Sequence, residues 1–167
     1  GPIATTPFIV WFTRKHGFPF WKTLDIIGPG ITIAHAFGRL GCLAAGCCYG
    51  RPTGGGWGVK LNSELVDPTM RGIHLHPTQL YESTSLFILF VVLMAVFKRK
   101  KFDGQIALIY FMAYPIIRSI IEIYRGDTIR GFVIDGVLST SQFISILVFV
   151  AAFATLIWRL KQKKAGR

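Results

Sequence analysis

The chain has 167 residues, of which 51% are hydrophobic, 14% aromatic and only 16% charged, with a formal net charge of +11 and a mean hydropathy of +0.48. Low charge with high hydrophobicity excludes a disordered chain, and this much apolar surface exceeds what a soluble globule of this size hides. The basic residues alternate with apolar runs and do not line a polar face, so the charge reads as membrane topology and not as a nucleic-acid surface.

A membrane-crossing helix needs ~20 mainly apolar residues. Segment 3–12 is apolar but only 10 residues long and reads as the end of a span begun earlier. The chain also starts without methionine, and the expectation is that an N-terminal portion precedes Gly1. Segment 26–49 is long enough and carries one internal charge, Arg39. Segment 80–97 is near the short limit, with Glu82 at its start. Segment 106–124 carries Arg118 and Glu122, and segment 136–158 carries no charge. The expected fold is all-α: a polytopic membrane bundle of four full spans plus the end of a fifth. Residues 1–167 are expected to form a single transmembrane domain lacking its N-terminal spans.

Twelve of the 19 Lys and Arg residues fall in three clusters. These are Arg14, Lys15 and Lys22; Lys98 to Lys101; and Arg159, Lys161, Lys163, Lys164 and Arg167. If the spans alternate, all three lie on one side, expected to be cytoplasmic, with the C-terminus inside. Connections 50–75 and 125–135 then face outward. The basic tail reads as an anchor on anionic lipid, with no nucleic-acid partner expected. Six further arginines and Lys60 lie within the spans or on the outer side.

Ionisable groups inside a span are costly and mark function by default. Arg118, Glu122 and Arg125 fall at i, i+4 and i+7, on one helical face. A structural pairing of Glu122 with one arginine leaves positive charge on that face, and the arginine fork is suited to gripping phosphate. Arg39 has no acidic partner in its own span, and His35 shares its face. Around Arg39 the segment 38–53 is rich in glycine, which reads either as an irregular break admitting a lipid headgroup or as tight helix packing of small residues. His76, Gln79, Tyr81 and Glu82 gather at the next membrane boundary, where Pro77 suits the first helical turn. Singly each reads as structural; together they read as the wall of a polar pocket.

The three cysteines leave several readings open. Cys42, Cys47 and Cys48 serve as soft packing residues, or as a disulfide staple of the Gly-rich turn. A metal site with His35 as fourth ligand is weaker, because Cys-x4-Cys-Cys lacks zinc-knuckle spacing. A reactive thiol beside Arg39 is the remaining option. No metal ligands and no cofactor are assigned.

The strings Gly38-Arg-Leu-Gly41, Gly50-Arg-Pro-Thr53, His76-Pro-Thr-Gln-Leu-Tyr-Glu82 and Arg118-x3-Glu122-x2-Arg125 resemble the prolipoprotein diacylglyceryl transferase family. Ser139, Gln142 and Ser145 add weaker support. The resemblance covers the C-terminal two-thirds of a typical member, which has about seven spans in the bacterial inner membrane and a site open to lipid and the outer side. It implies transfer of the diacylglyceryl group of phosphatidylglycerol to the lipobox cysteine of a prolipoprotein. Arg39, Arg118 and Glu122 are then catalytic. Arg39, Arg125, His76, Gln79, Tyr81, Glu82 and Gly50 would bind the anionic phospholipid. The alternatives are a paralogue with another acceptor and a non-catalytic lipid binder. The family's usual Asn, Asn and Glu are replaced by Cys42, Ala45 and Cys47, and its proposed base histidine would precede Gly1.

Overall fold

A computed structural model describes residues 2–125, 132–134 and 138–165, with side chains from 7 to 125 and from 139 to 162. Gly1, most of the connection 126–137 with Arg130, the expected span start at Gly136, Arg167, and the side chains of Lys163 and Lys164 lie outside the described residues.

The described chain is helical. Its elements are α1 (Pro2–Lys15), α2 (Phe20–Ala45), β1 (Val59–Lys60), a 3-10 turn (Pro68–Met70), β2 (His74–Leu75), α3 (Thr78–Phe97), α4 (Gln105–Tyr124), β3 (Phe132–Ile134), β4 (Leu138–Ser139) and α5 (Thr140–Ala165). Helices α2 to α5 are each long and apolar enough to cross a membrane, as the hydropathy predicts, and α1 has only 14 residues. Large apolar side chains such as Ile88, Val91, Ile123 and Val150 point outward, where lipid is their compatible solvent. Helix α3 packs on α2 and α4, and α4 packs on α5.

Two spans, α2 and α5, differ from expectation in their bounds. Helix α2 begins and ends earlier than segment 26–49. It closes at Gly46, whose left-handed φ of 74° lets its N–H reach Leu43 O while Cys47 N–H reaches Cys42 O, the paired bonds of a Schellman end. Its start takes in Lys22 and the buried Asp25. Helix α5 starts at Thr140, where Ser139 Oγ accepts from Gln142 N–H and Gln142 Oε1 accepts from Ser139 N–H, both at 3.1 Å. This reciprocal capping box explains Ser139 and Gln142 as helix-starting residues.

Asp25 ties α2 to the start of α4. Its carboxylate accepts from the backbone N–H groups of Gly104 (2.9 Å), Ile106 (2.9 Å) and Ala107 (3.1 Å) and from Lys100 Nζ (3.0 Å). These are orphan donors of a helix N-terminus, where negative charge is favoured. Hydrogen bonds to Asp103 and Asp25 hold the Lys100 ammonium above the usual lysine range. At the same end, the Arg159 guanidinium lies 4.6 Å from the Trp21 ring centre. The described parts of the basic clusters therefore share one end of the bundle.

Segment 46–77 folds over the opposite end. Strands β1 and β2 pair antiparallel, Val59 with Leu75 and Lys60 with His74. Isolated bridges join Pro52 to Leu75 and Gly50 to Arg125. The second bridge pins this cap to the end of α4.

Candidate functional site

Near that capped end, three helices bring their ionisable groups together around Glu82. Its side chain, 1% exposed, extends from the second turn of α3. Glu82 Oε2 lies 3.0 Å from Arg39 Nε of α2 and 3.9 Å from Arg118 Nη1 of α4, and Oε1 lies 3.6 Å from His35 Nε2. Helical spacing accounts for the rest: His35 sits one turn before Arg39, and Glu122 one turn after Arg118, with Arg118 Nη2 2.5 Å from Glu122 Oε2. Arg39 thus finds its acidic partner on α3, not in its own span. Tying one carboxylate to two helices offsets the cost of burying these charges.

These contacts are close but poorly aligned as hydrogen bonds. Among the described residues, Arg39 Nε, Arg118 Nη1 and Nη2, Glu82 Oε1 and Glu122 Oε2 are buried without a well-directed partner. Arg118 Nε does donate, to Ser141 Oγ at 3.1 Å at the start of α5. Sequence reading missed Ser141 because its neighbours Ser139 and Gln142 carry the recognisable pattern. The Tyr114 ring, 5.4 Å from the His35 ring, was also missed; its place one turn before Arg118 was the available signal.

The glycines of segment 38–53 divide between the two readings, with the turn and the close approaches at Gly46 and Gly50 and neither at Gly38 or Gly41. Helix α2 runs unbroken past Arg39 to Ala45, so no irregular turn flanks the guanidinium. Among the described residues a Cβ at Gly38 or Gly41 would meet nothing within 4 Å, so neither packs closely against another described helix. Both leave bare backbone on an exposed face next to Arg39. The tight positions are Gly46, where a Cβ would stand 2.5 Å from Ser63 Cβ, and Gly50, where it would stand 2.6 Å from Tyr124 O and 2.7 Å from His76 Cβ. Gly50 therefore admits the bridge to Arg125.

The His76–Glu82 string divides into three jobs. His76 is buried among rings: Trp57 at 4.9 Å, Tyr124 at 5.3 Å and Tyr81, whose hydroxyl is 3.3 Å from His76 Nδ1. Gln79 Nε2 donates to Cys47 O at 2.7 Å, and Thr78 Oγ1 donates to Cys48 O at 3.0 Å. Both hold the turn after α2. Glu82 reaches the guanidiniums of Arg39 and Arg118.

In that turn the three cysteines are unbonded, so the disulfide reading is not met. Their sulfurs nevertheless lie within 4.8 Å of one another. Burial and the neighbouring thiols push the Cys47 thiol up to about 11. Burial also raises Cys48, but hydrogen bonds from Arg125 and Cys47 outweigh it and leave that thiol below its usual range. Arg125 thus sits at the junction of the cysteine turn, the Gly50 bridge and α4.

An apolar cavity of about 570 Å³ lies in the other half of the bundle, lined by residues such as Phe20, Leu24, Ile31, Leu108 and Val148. It is separate from the charged cluster. Within that cluster the two guanidiniums balance the two carboxylates, and Arg125, whose charge also acts on Arg118, adds one formal positive charge beside it. Such a site can grip one anionic group, and arginine does so with two parallel hydrogen bonds.

The family model "Prolipoprotein diacylglyceryl transferase" matches residues 1–158. Relatives named phosphatidylglycerol–prolipoprotein diacylglyceryl transferase include one from Clostridium tetani, 39% identical over 83% of this chain and 54% of its own length. One from Finegoldia magna is 38% identical over 98% of this chain and 60% of its own length. A second form from Clostridium perfringens is 37% identical over 88% and 56%. The chain spans just over half the length of these curated relatives.

Proposed function

The chain belongs to the prolipoprotein diacylglyceryl transferase family, a multi-pass family of the bacterial inner membrane, and on that premise we propose that the whole protein transfers diacylglyceryl from phosphatidylglycerol to the lipobox cysteine of prolipoproteins. The observation that carries this is the convergence of Arg39 and Arg118, from separate helices, on the single carboxylate of Glu82.

The thiolate of the acceptor attacks the glycerol carbon bonded to the phosphate oxygen. A C–S bond forms and the C–O bond breaks. Glycerol phosphate leaves with the electron pair, and the thiol proton passes to a general base. Negative charge grows on the departing phosphate, and Arg39 and Arg118 stabilise it; one such preorganised donor is worth about 10²–10³ in rate. Glu82 and Glu122 hold the two guanidiniums in place, and Ser141 fixes the rotation of Arg118. Arg125, Gly50, His76, Tyr81 and Gln79 shape the headgroup side of the site.

The basic end faces the cytoplasm and the charged cluster the outer side, following the bias of Lys and Arg toward cytoplasmic loops. Residues 1–167 act as one transmembrane domain. A different acceptor or a purely binding role gains no support, since the relatives at 37–39% identity all carry the same transferase name.

Substituting Arg39→Ala in the full-length protein should reduce glyceryl transfer to a lipobox peptide by at least a hundredfold. Near-normal transfer would overturn the reading.

A further inference from the structure

The cysteine turn is a second cluster of chemistry-bearing groups that the proposed lipid reaction does not use. Its three sulfurs lie within 4.8 Å of one another. Donors arranged trigonally around an ion at ~2.3 Å stand about 4 Å apart. The sulfurs therefore need to close by less than about 1 Å to surround one ion.

The backbone is built to hold them so. Cys42 occupies the last turns of α2, and the Schellman end at Gly46 reverses the chain and returns Cys47 beside it. Cys48 has a φ of 62°, a left-handed conformation that non-glycine residues rarely adopt. Such an outlier persists only when its surroundings determine it. Here Thr78 and Gln79 supply that constraint by donating to the carbonyls of Cys48 and Cys47. Outer contacts of this kind fix ligand orientation at metal sites.

We propose that Cys42, Cys47 and Cys48 form a three-sulfur site for a soft cation, with Cu(I) preferred over Zn(II). Among the described residues no histidine or carboxylate joins the three sulfurs at the same range. Thiolates select soft ions, and three of them complete a low coordination number that Cu(I) accepts. Zn(II) would need a fourth donor. On binding, three S–H protons leave to solvent and three Cu–S bonds form, with no change of oxidation state. The doubly negative product lies against the Arg125 guanidinium at Cys48, with Arg39 nearby. None of this depends on the phosphate-gripping roles proposed above.

The test uses the reduced full-length protein in detergent, under anaerobic conditions, titrated with Cu(I) held by a chromophoric chelator. One Cu(I) per chain should be withdrawn, and equimolar Zn(II) should not displace it. On the unmodified chain, one equivalent of Cu(I) should protect Cys42, Cys47 and Cys48 from iodoacetamide, as mapped by mass spectrometry. Cys42→Ser and Cys47→Ser should each weaken Cu(I) retention at least tenfold without changing the metal-free melting temperature. Copper left with the chelator, or alkylation equally fast with and without copper, overturns the site. So does a disulfide among the three in cells alkylated before lysis. Displacement by Zn(II) overturns the stated preference.

Discussion

Glu82 Oε2 lies 3.0 Å from Arg39 Nε, joining the second turn of α3 to the C-terminal part of α2. The same oxygen is 3.9 Å from Arg118 of α4. One carboxylate therefore sets the spacing of two guanidiniums that would otherwise repel each other.

Glu82→Gln keeps the volume and removes the charge. Breaking a buried ion pair by neutralising one partner costs about 3–5 kcal/mol. The expected result is a lowered melting temperature and at least a tenfold loss of glyceryl transfer in the full-length protein. A variant that melts like the parent would show that Glu82 does not hold the arginines.

Asp25 does comparable work at the other end of the bundle. Its carboxylate is fully buried on four donors, three of them backbone N–H groups of the loop and first turn of α4. Asp25→Ala leaves the three backbone N–H groups unsatisfied while Lys100 keeps Asp103, and thermal unfolding should show a loss of about 3 kcal/mol. Lys100→Met removes only the partly exposed partner and should cost about 1 kcal/mol. Equal effects of the two substitutions would contradict the capping role.

Two glycines in one motif region should respond in opposite ways. Gly50→Ala pushes a methyl against Tyr124 O and the His76 and Thr78 side chains, and overpacking of this kind costs about 1–3 kcal/mol. Gly41→Ala meets open space within a helix, where alanine is favoured over glycine by up to ~1 kcal/mol. Melting temperatures of the pair decide the matter; the close-approach role of Gly50 fails if both are neutral.

Thiol reactivity should follow the electrostatics of the cysteine turn. Only the thiolate alkylates readily, and its fraction grows as pH approaches the thiol pKa. Cys48, lowered by Arg125 and Cys47 against the pull of burial, should label first at neutral pH. Cys47, raised to about 11 by burial and its neighbours, should stay protonated and slow until strongly alkaline pH. Arg125→Gln should slow Cys48 labelling at pH 7, followed by peptide mass spectrometry; faster labelling of Cys47 than Cys48 in the parent would contradict this order.

The amino-acid pattern by itself determined the membrane class, the four crossing helices and the shared end of the basic clusters, because apolar length and charge placement are local properties that the bilayer enforces. It also put Arg118 and Glu122 on one face, since helical period is local. Span ends were less legible: the Schellman turn at Gly46 and the capping box at Ser139 depend on hydrogen bonds that hydropathy does not register. The partner of Arg39 was out of reach for a further reason. Glu82 is 43 positions away on another helix, and only the packing of α2, α3 and α4 brings it to 3.0 Å. The same holds for the sulfurs of Cys42, Cys47 and Cys48. Their spacing resembles no zinc knuckle, but a reversed helix end and two side chains from α3 bring them together.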